Sequence, residues 1–372
     1  MSGPLSPGFG GRRKGWKHPT LPLSAFTPPN TGTGEQFPLP ASPSTIHPTK
    51  VVDANVIIQT NDLTKWTEET ALVLKDKASG VVVSLIGAPE GSLEKLVSEI
   101  SSSATSSTTP ILAILVPFDI YSGIPAEVPV YLSTTASPPI VLASTYSQST
   151  PIAIDTLKWA LEKGFNVDLD VQSDLRSSEA AWETLEDFFS KAIPVTSPTP
   201  PGNVILSNIL PPPDDFSLPI VKLLTHPTYR DYQSRTAALS LNANIYIKFI
   251  PPIWGAVTPP TPAPASAPSS ADTPTIDSGV DVGEDGVQVV DRDSYEKKEW
   301  KKRIKMYIGP ALEAFGFERI IYGSSPSPLS HSASNAGDWY ELARESFAEL
   351  GVEHDTIDAV FGQNALKVYT KS

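Results

Sequence analysis

The sequence predicts an α/β protein, a closed (β/α)8 TIM barrel, and three observations carry that expectation. Short apolar segments rich in Val, Ile and Leu alternate with longer segments of helical periodicity along most of the chain. The apolar segments are continuous rather than alternating, as parallel strands buried on both faces require. They number about eight, which favours a closed barrel over an open sheet, and no Gly-x-Gly-x-x-Gly turn follows any of them.

Val51-Val52-Asp53-Ala54-Asn55-Val56-Ile57-Ile58 is the first strand, a β-branched apolar run after a Pro-rich leader. Asp53 and Asn55 interrupt it at a spacing of two, which places both on one face, and neither belongs in a dry core without a partner. A polar helix around Trp66, Glu68 and Glu69 comes next, followed by a strand at Gly80–Ile86. Leu93, Leu96, Val97 and Ile100 form one stripe of a helix with Ser92 as its N-cap. Strands are expected at Ile111–Val116 and, shortened by Pro129, at Val128–Ser133. Ile152–Lys163 reads as a helix closed by Gly164. In the strand that follows, Asn166, Asp168 and Asp170 alternate with Val167, Leu169 and Val171. Ser178–Ala192 and Thr228–Leu241 are helical, with strands at Asn203–Asn208 and Asn244–Ile250. A helix from near Asp293 to Phe315, a last strand at Arg319–Gly323, and helices over Trp339–Leu350 and Asp355–Thr370 complete the pattern.

Three regions follow from composition. Residues 1–49 form an irregular Pro/Gly-rich arm, and residues 50–372 hold the barrel. Within the barrel, residues 258–290 are Pro/Ala/Ser-rich and then acidic, and read as a disordered insertion with almost nothing to bury.

The chain has 372 residues and a formal charge of −13. That balance argues against nucleic acid or an anionic membrane as partner, since both need concentrated Lys and Arg. The basic cluster Lys297, Lys298, Lys301, Lys302 and Arg303 is interleaved with acidic residues and reads as a solvated helix face. There are no cysteines, which excludes disulfides, thiolate nucleophiles and Cys-ligated zinc. No apolar run is long enough to span a bilayer and Met1–Lys17 lacks an apolar signal core, so a cytoplasmic protein is expected.

Four segments together resemble the amidohydrolase-related branch of the amidohydrolase superfamily, which includes sugar lactonases and the pyrone-dicarboxylate lactonase. Val51–Ile57 lies where that family has a first strand ending D-x-H-x-H. Val204–Pro211 resembles its V-x-x-D-H-x-x-x-P strand, and Asn244–Lys248 its N-x-Y-x-K-x-S-G segment. The fourth, Glu318–Pro326, resembles E-R-x-x-x-G-S-D-x-P and is followed by Phe361–Tyr369, close to the family's closing F-x-x-N-A-x-x-x-Y. The resemblance spans about Val51 to Tyr369 and implies the barrel fold and hydrolysis of lactones or cyclic esters.

The departures fall on the chemistry that the resemblance implies. Asn55 and Ile57 replace the first-strand histidines, Ser207-Asn208 the Asp-His pair, and Ser325 the last-strand aspartate. The fourth-strand arginine corresponds to Tyr131. Asparagine and serine are no general bases near neutral pH, and isoleucine offers no ligand atom. The five histidines (His18, His47, His226, His331, His354) all lie off the strands. No metal and no other cofactor is therefore expected.

Asp170, at the carboxyl end of its strand, reads either as a general base or substrate anchor, or as a carboxylate paired within the barrel. Lys248 reads either as a carboxylate-binding residue or as the ion-pair partner of Asp170. Asp53 reads as structural. Asn55, Asn208, Ser325 and Tyr131 are candidate substrate-binding residues, with a spent pocket as the competing reading; Trp254 and Trp339 either stack on a ligand or pack. Ser325 has no nucleophile elbow around it.

The expectation is a hydrolase homologue with impaired, metal-free chemistry and a small lactone or carboxylate ligand. One alternative is an active metal-independent hydrolase with Asp170 as base and Lys248 as substrate anchor. The other is a binding or scaffold protein that uses the acidic insertion. The sequence leaves the oligomeric state open.

Overall fold

The computed structural model describes residues 42–104, 109–132, 136–175, 179–194, 200–210, 218–261, 295–330 and 332–370. Residues 42–372 form one compact unit. Residues 1–41 of the expected arm and 262–290 of the expected insertion lie outside the described residues.

Eight parallel strands follow one another around the molecule in chain order. They are β1 (Val51–Ile57), β2 (Ala78–Ser84), β3 (Ile111–Pro117), β4 (Ile140–Tyr146), β5 (Val167–Val171), β6 (Val204–Ser207), β7 (Ile245–Phe249) and β8 (Ile320–Tyr322). Around them lie α1 (Thr64–Leu74), α2 (Leu93–Ser103), α3 (Pro151–Glu162), α4 (Glu179–Ala192), the single turn α5 (Ile220–Leu223), α6 (Pro227–Ser240), α7 (Tyr295–Phe315) and α8 (Ala336–Ala348). Two short helices, α9 (His354–Asp358) and α10 (Asn364–Tyr369), flank a π-turn and end the chain. This is a (β/α)8 barrel. α3 illustrates the local code: the Thr150 hydroxyl accepts from the Ala153 amide, Pro151 opens the first turn, and Gly164 at φ +84° leaves the helix.

Strand residues divide between two cores. Val52, Ala54, Val82, Leu115, Val141, Ile205 and Ile321 fill the barrel interior, while Val51, Val83, Ile114, Leu169 and Ile247 pack outward against the helices. Val368 and Tyr369 of α10 join the inner core and plug the amino-terminal end. There Asn364 Nδ2 donates to the Phe317 and Ile320 carbonyls, and Asn166 Nδ2 to the Val368 carbonyl.

β1 and β8 meet through side chains. Asp53 accepts from the Ser324 amide at 2.9 Å, the Asn55 amide at 3.1 Å and Trp66 Nε1 of α1 at 2.8 Å. Asn55 Nδ2 donates to the Ser325 carbonyl, the Ser325 amide to the Asn55 carbonyl, and the Ile57 amide to Ser325 Oγ. A Cβ at Gly323 would stand 2.7 Å from Asn55 Cβ, so glycine is what lets the two strands come together. The register of β1 against β2 shifts between Asp53 and Val56, which undoes the shared face expected for Asp53 and Asn55. Asp53 turns toward α1 and the end of β8, whereas Asn55 borders the space over the barrel axis.

Two expectations need correction. Of the strand expected at Val128–Ser133, the described residues 128–132 form none: Val128 and Val130 are exposed, and the Leu132 amide turns back to the Pro129 carbonyl. Pro129 removes a ladder donor from that run. The fourth strand is β4, so Tyr131 lies in the β3–β4 connection, which has no helix among its described residues. The basic cluster of α7 is not a wholly solvated face either. Lys297, Lys301 and Arg303 are buried, and the two lysines pair with Glu345 of α8 at 3.0 and 3.1 Å. The spacing that suggested a wet face is also that of a charged zipper between two helices.

Candidate functional site

The alternation in β5 points Asp168 and Asp170 into the barrel, above the inner core. Asp168 is saturated. Lys248 of β7, wholly buried, forms an ion pair with its Oδ2; Tyr369 donates to the same oxygen at 3.1 Å, and Ser207 of β6 to Oδ1 at 3.2 Å. Burial, with Asp168 adding to it, holds the Tyr369 hydroxyl well above its ordinary value, so it stays a donor. The lysine's partner is therefore Asp168, one pleat below the Asp170 expected from the sequence.

Asp170 is placed differently. It is 4% exposed. Its Oδ2 accepts from Ser327 Oγ at 2.9 Å and Gln172 Nε2 at 3.1 Å, while Oδ1 has no hydrogen-bond partner. Burial pushes its carboxyl above the ordinary range; Gln172 and Ser327 oppose that, Asp168 adds to it and Lys248 opposes it. The space it faces is bordered by Asn55, Ile57, Ser144, Ser207 and the Ser327-Pro328 turn after β8, with a volume of about 10 Å³. That is room for roughly one water. Ser327 and Gln172 carry no strand periodicity and escaped the sequence reading; the only signal was Ser327's position two residues after Ser325.

The other candidates scatter around this centre. Asn208 sits at φ +67° just past β6, and its Nδ2 donates to the Val171 carbonyl at 2.9 Å. Ser325 belongs to the β1–β8 seam and borders a side cavity of about 490 Å³ with Trp66, Lys65 and Pro326. Tyr131 borders a second groove, of about 510 Å³, at the ends of β2, β3 and β4. Trp339 is fully buried, donates to the Gly323 carbonyl and packs on Phe249; Trp254 is buried edge-on against Trp300. His331 lies outside the described residues.

The residues do not fit a zinc site. Among the described residues no three His, Asp or Glu side chains converge as ligands. Asp168 already takes three donors, and Asn55, Ile57, Ser207 and Asn208 supply no imidazole or carboxylate.

No protein-family model and no curated protein matches the sequence. Solved structures do match the fold. An amidohydrolase from Burkholderia multivorans, solved with HEPES bound, superposes with a TM-score of 0.51 at 12% identity over 87% of this chain and 100% of its own. A second crystal form of an amidohydrolase from that organism, with zinc bound, gives 0.50 at 12% identity, over 87% and 100% of the two chains. A putative 2-pyrone-4,6-dicarboxylic acid hydrolase from Pseudomonas putida gives 0.47 at 12%, over 86% and 97%. The chain thus has the (β/α)8 barrel fold of amidohydrolase-type proteins.

Proposed function

We propose that this chain is a hydrolase-type barrel of the lactone or cyclic-ester kind whose hydrolysis is impaired and proceeds, if at all, without a metal. The observation that supports it most is the use made of the strand ends. Asn55, Asn208 and Ser325 spend their polar atoms on main-chain groups of neighbouring strands, and Lys248 is committed to Asp168. What remains over the axis is one carboxylate oxygen without a partner, Asp170 Oδ1, beside a water-sized space. The test is elemental analysis of the purified full chain together with a lactone and ester hydrolysis screen. Metal well below one equivalent and rates near background are expected; stoichiometric zinc or robust turnover overturns the proposal.

One observation favours a second reading, a metal-independent hydrolase with Asp170 as general base. Its Oδ1 has no partner and its affinity for protons is raised by burial, which suits a carboxylate that takes a proton from water near neutral pH. Lys248 does not serve as substrate anchor in this reading, since Asp168 holds it. Asp170→Asn is expected to remove any residual turnover by at least about 100-fold while leaving the circular dichroism unchanged. Unchanged turnover would remove the role.

A further inference from the structure

We propose that the open groove at the carboxyl ends of β2, β3 and β4 is a binding site for a small aromatic or branched apolar amine in its cationic form. Its volume of about 510 Å³ suits a ligand of that size. Ile86, Leu93, Pro117 and the rings of Phe118 and Tyr131 make its walls apolar. Phe118 is preset by stacking on Trp159, with centroids 6.2 Å apart.

The charge of the groove has one sign. Asp119 lines it, and no Lys, Arg or His is among its described lining residues. The Asp119 carboxylate is fixed by the Tyr121 amide at 2.9 Å and Ser122 Oγ at 2.5 Å, which leaves lone pairs for a further donor. Burial raises the Tyr131 hydroxyl above its ordinary value, and the charge of Glu94 adds to that, so the ring on this wall stays neutral. Aromatic faces beside a carboxylate attract an organic cation. The net charge of −13 adds a long-range field of the same sense.

Ile86 and Ser144 border both the groove and the water-sized space before Asp170, so the groove lies beside the barrel centre. An anionic ligand meets the Asp119 carboxylate and no cation among the described lining residues. The inference goes beyond the proposed hydrolase reading and does not depend on it: binding is expected whether or not anything is hydrolysed.

Isothermal titration of the full chain with benzylamine, benzyl alcohol and benzoate tests it. Benzylamine should bind, benzyl alcohol about tenfold more weakly, and benzoate not measurably, with amine affinity falling as salt is raised. Asp119→Asn should weaken benzylamine about tenfold and leave benzyl alcohol unchanged, the alcohol reporting that the groove is intact. Failure of all three probes to saturate, benzoate binding as tight as benzylamine, or unchanged amine affinity in Asp119→Asn would each overturn the inference.

Discussion

At the scale of single residues, two aspartates one pleat apart do opposite work. Asp168 is an internal counter-ion with all its donors supplied, and Asp170 is a carboxylate that the fold leaves half-served. Removing one member of a buried ion pair leaves the other uncompensated, which costs about 3–5 kcal/mol. Lys248→Met and Asp168→Asn are each expected to lose stability of that order in urea unfolding, and the double variant to recover most of it. Additive losses would show that the two groups do not act as a pair. The β5 alternation made Asp168 and Asp170 legible as polar residues on one face of a strand, and the resemblance singled out Lys248 on another. Which aspartate the lysine meets was not legible, because it depends on strand stagger around the closed sheet, and the sequence pattern carries face but not height. The shared face expected for Asp53 and Asn55 failed for a related reason: a register break inside β1 changes the face without any sign in the residue types.

At the scale of elements, the α7–α8 contact is the clearest case of charge used as packing. Glu345 receives Lys297 and Lys301 and lies 3.6 Å from Arg344, all largely out of water. Glu349 receives Lys301 at 2.7 Å and pairs with Lys305. Burial opposes ionisation of Glu349, yet the bonds from Lys301 and Lys305 outweigh it and hold the carboxyl below its usual range. Glu345→Ala strands buried cations and is expected to cost about 3–5 kcal/mol, read as a lower midpoint in urea. High salt should not reproduce that loss, since a buried pair is poorly screened. Seven of the eight strands were legible from apolar runs between turn signals. β4 was not, because the Pro129-containing segment before it offers a rival β-rich run and no helix marks the boundary between them. The α7 lysines were misread because period 3.6 describes a face equally well whether water or another helix lies against it.

At the scale of the whole molecule, the barrel is stabilised at its two ends by different means. The amino-terminal end is plugged by α10, and the carboxyl end is drawn together over Asp170 by the turn after β8. The segment before β1 is held by Arg344, which donates to the Pro43 and Ile46 carbonyls beside His47. Burial, followed by the charge of Arg344, lowers His47 from 6.5 to about 4. The unfolded chain therefore takes up this proton first, so the stability His47 contributes is present above pH 6.5 and lost as pH falls from 6.5 to about 4. Urea midpoints across that window should fall less steeply in His47→Asn than in the parent, with a difference on the order of 1 kcal/mol by pH 4. Parallel curves would place His47 outside the acid response.

The β1–β8 seam has a consequence for how the chain is made. Its staples join Asp53 and Asn55, near the start of the described chain, to Ser324 and Ser325, 271 and 270 positions later in the sequence numbering. Until the ribosome has delivered β8, β1 and whichever strand was synthesised most recently both present bare edges to the cell. Such edges recruit other strands. Production of this protein should thus be limited by what accompanies the nascent chain: nonsense truncations before residue 320 are expected to aggregate, whereas in a chain that carries β8 the bonds among Asp53, Asn55, Ser324 and Ser325 hold the β1 and β8 edges together.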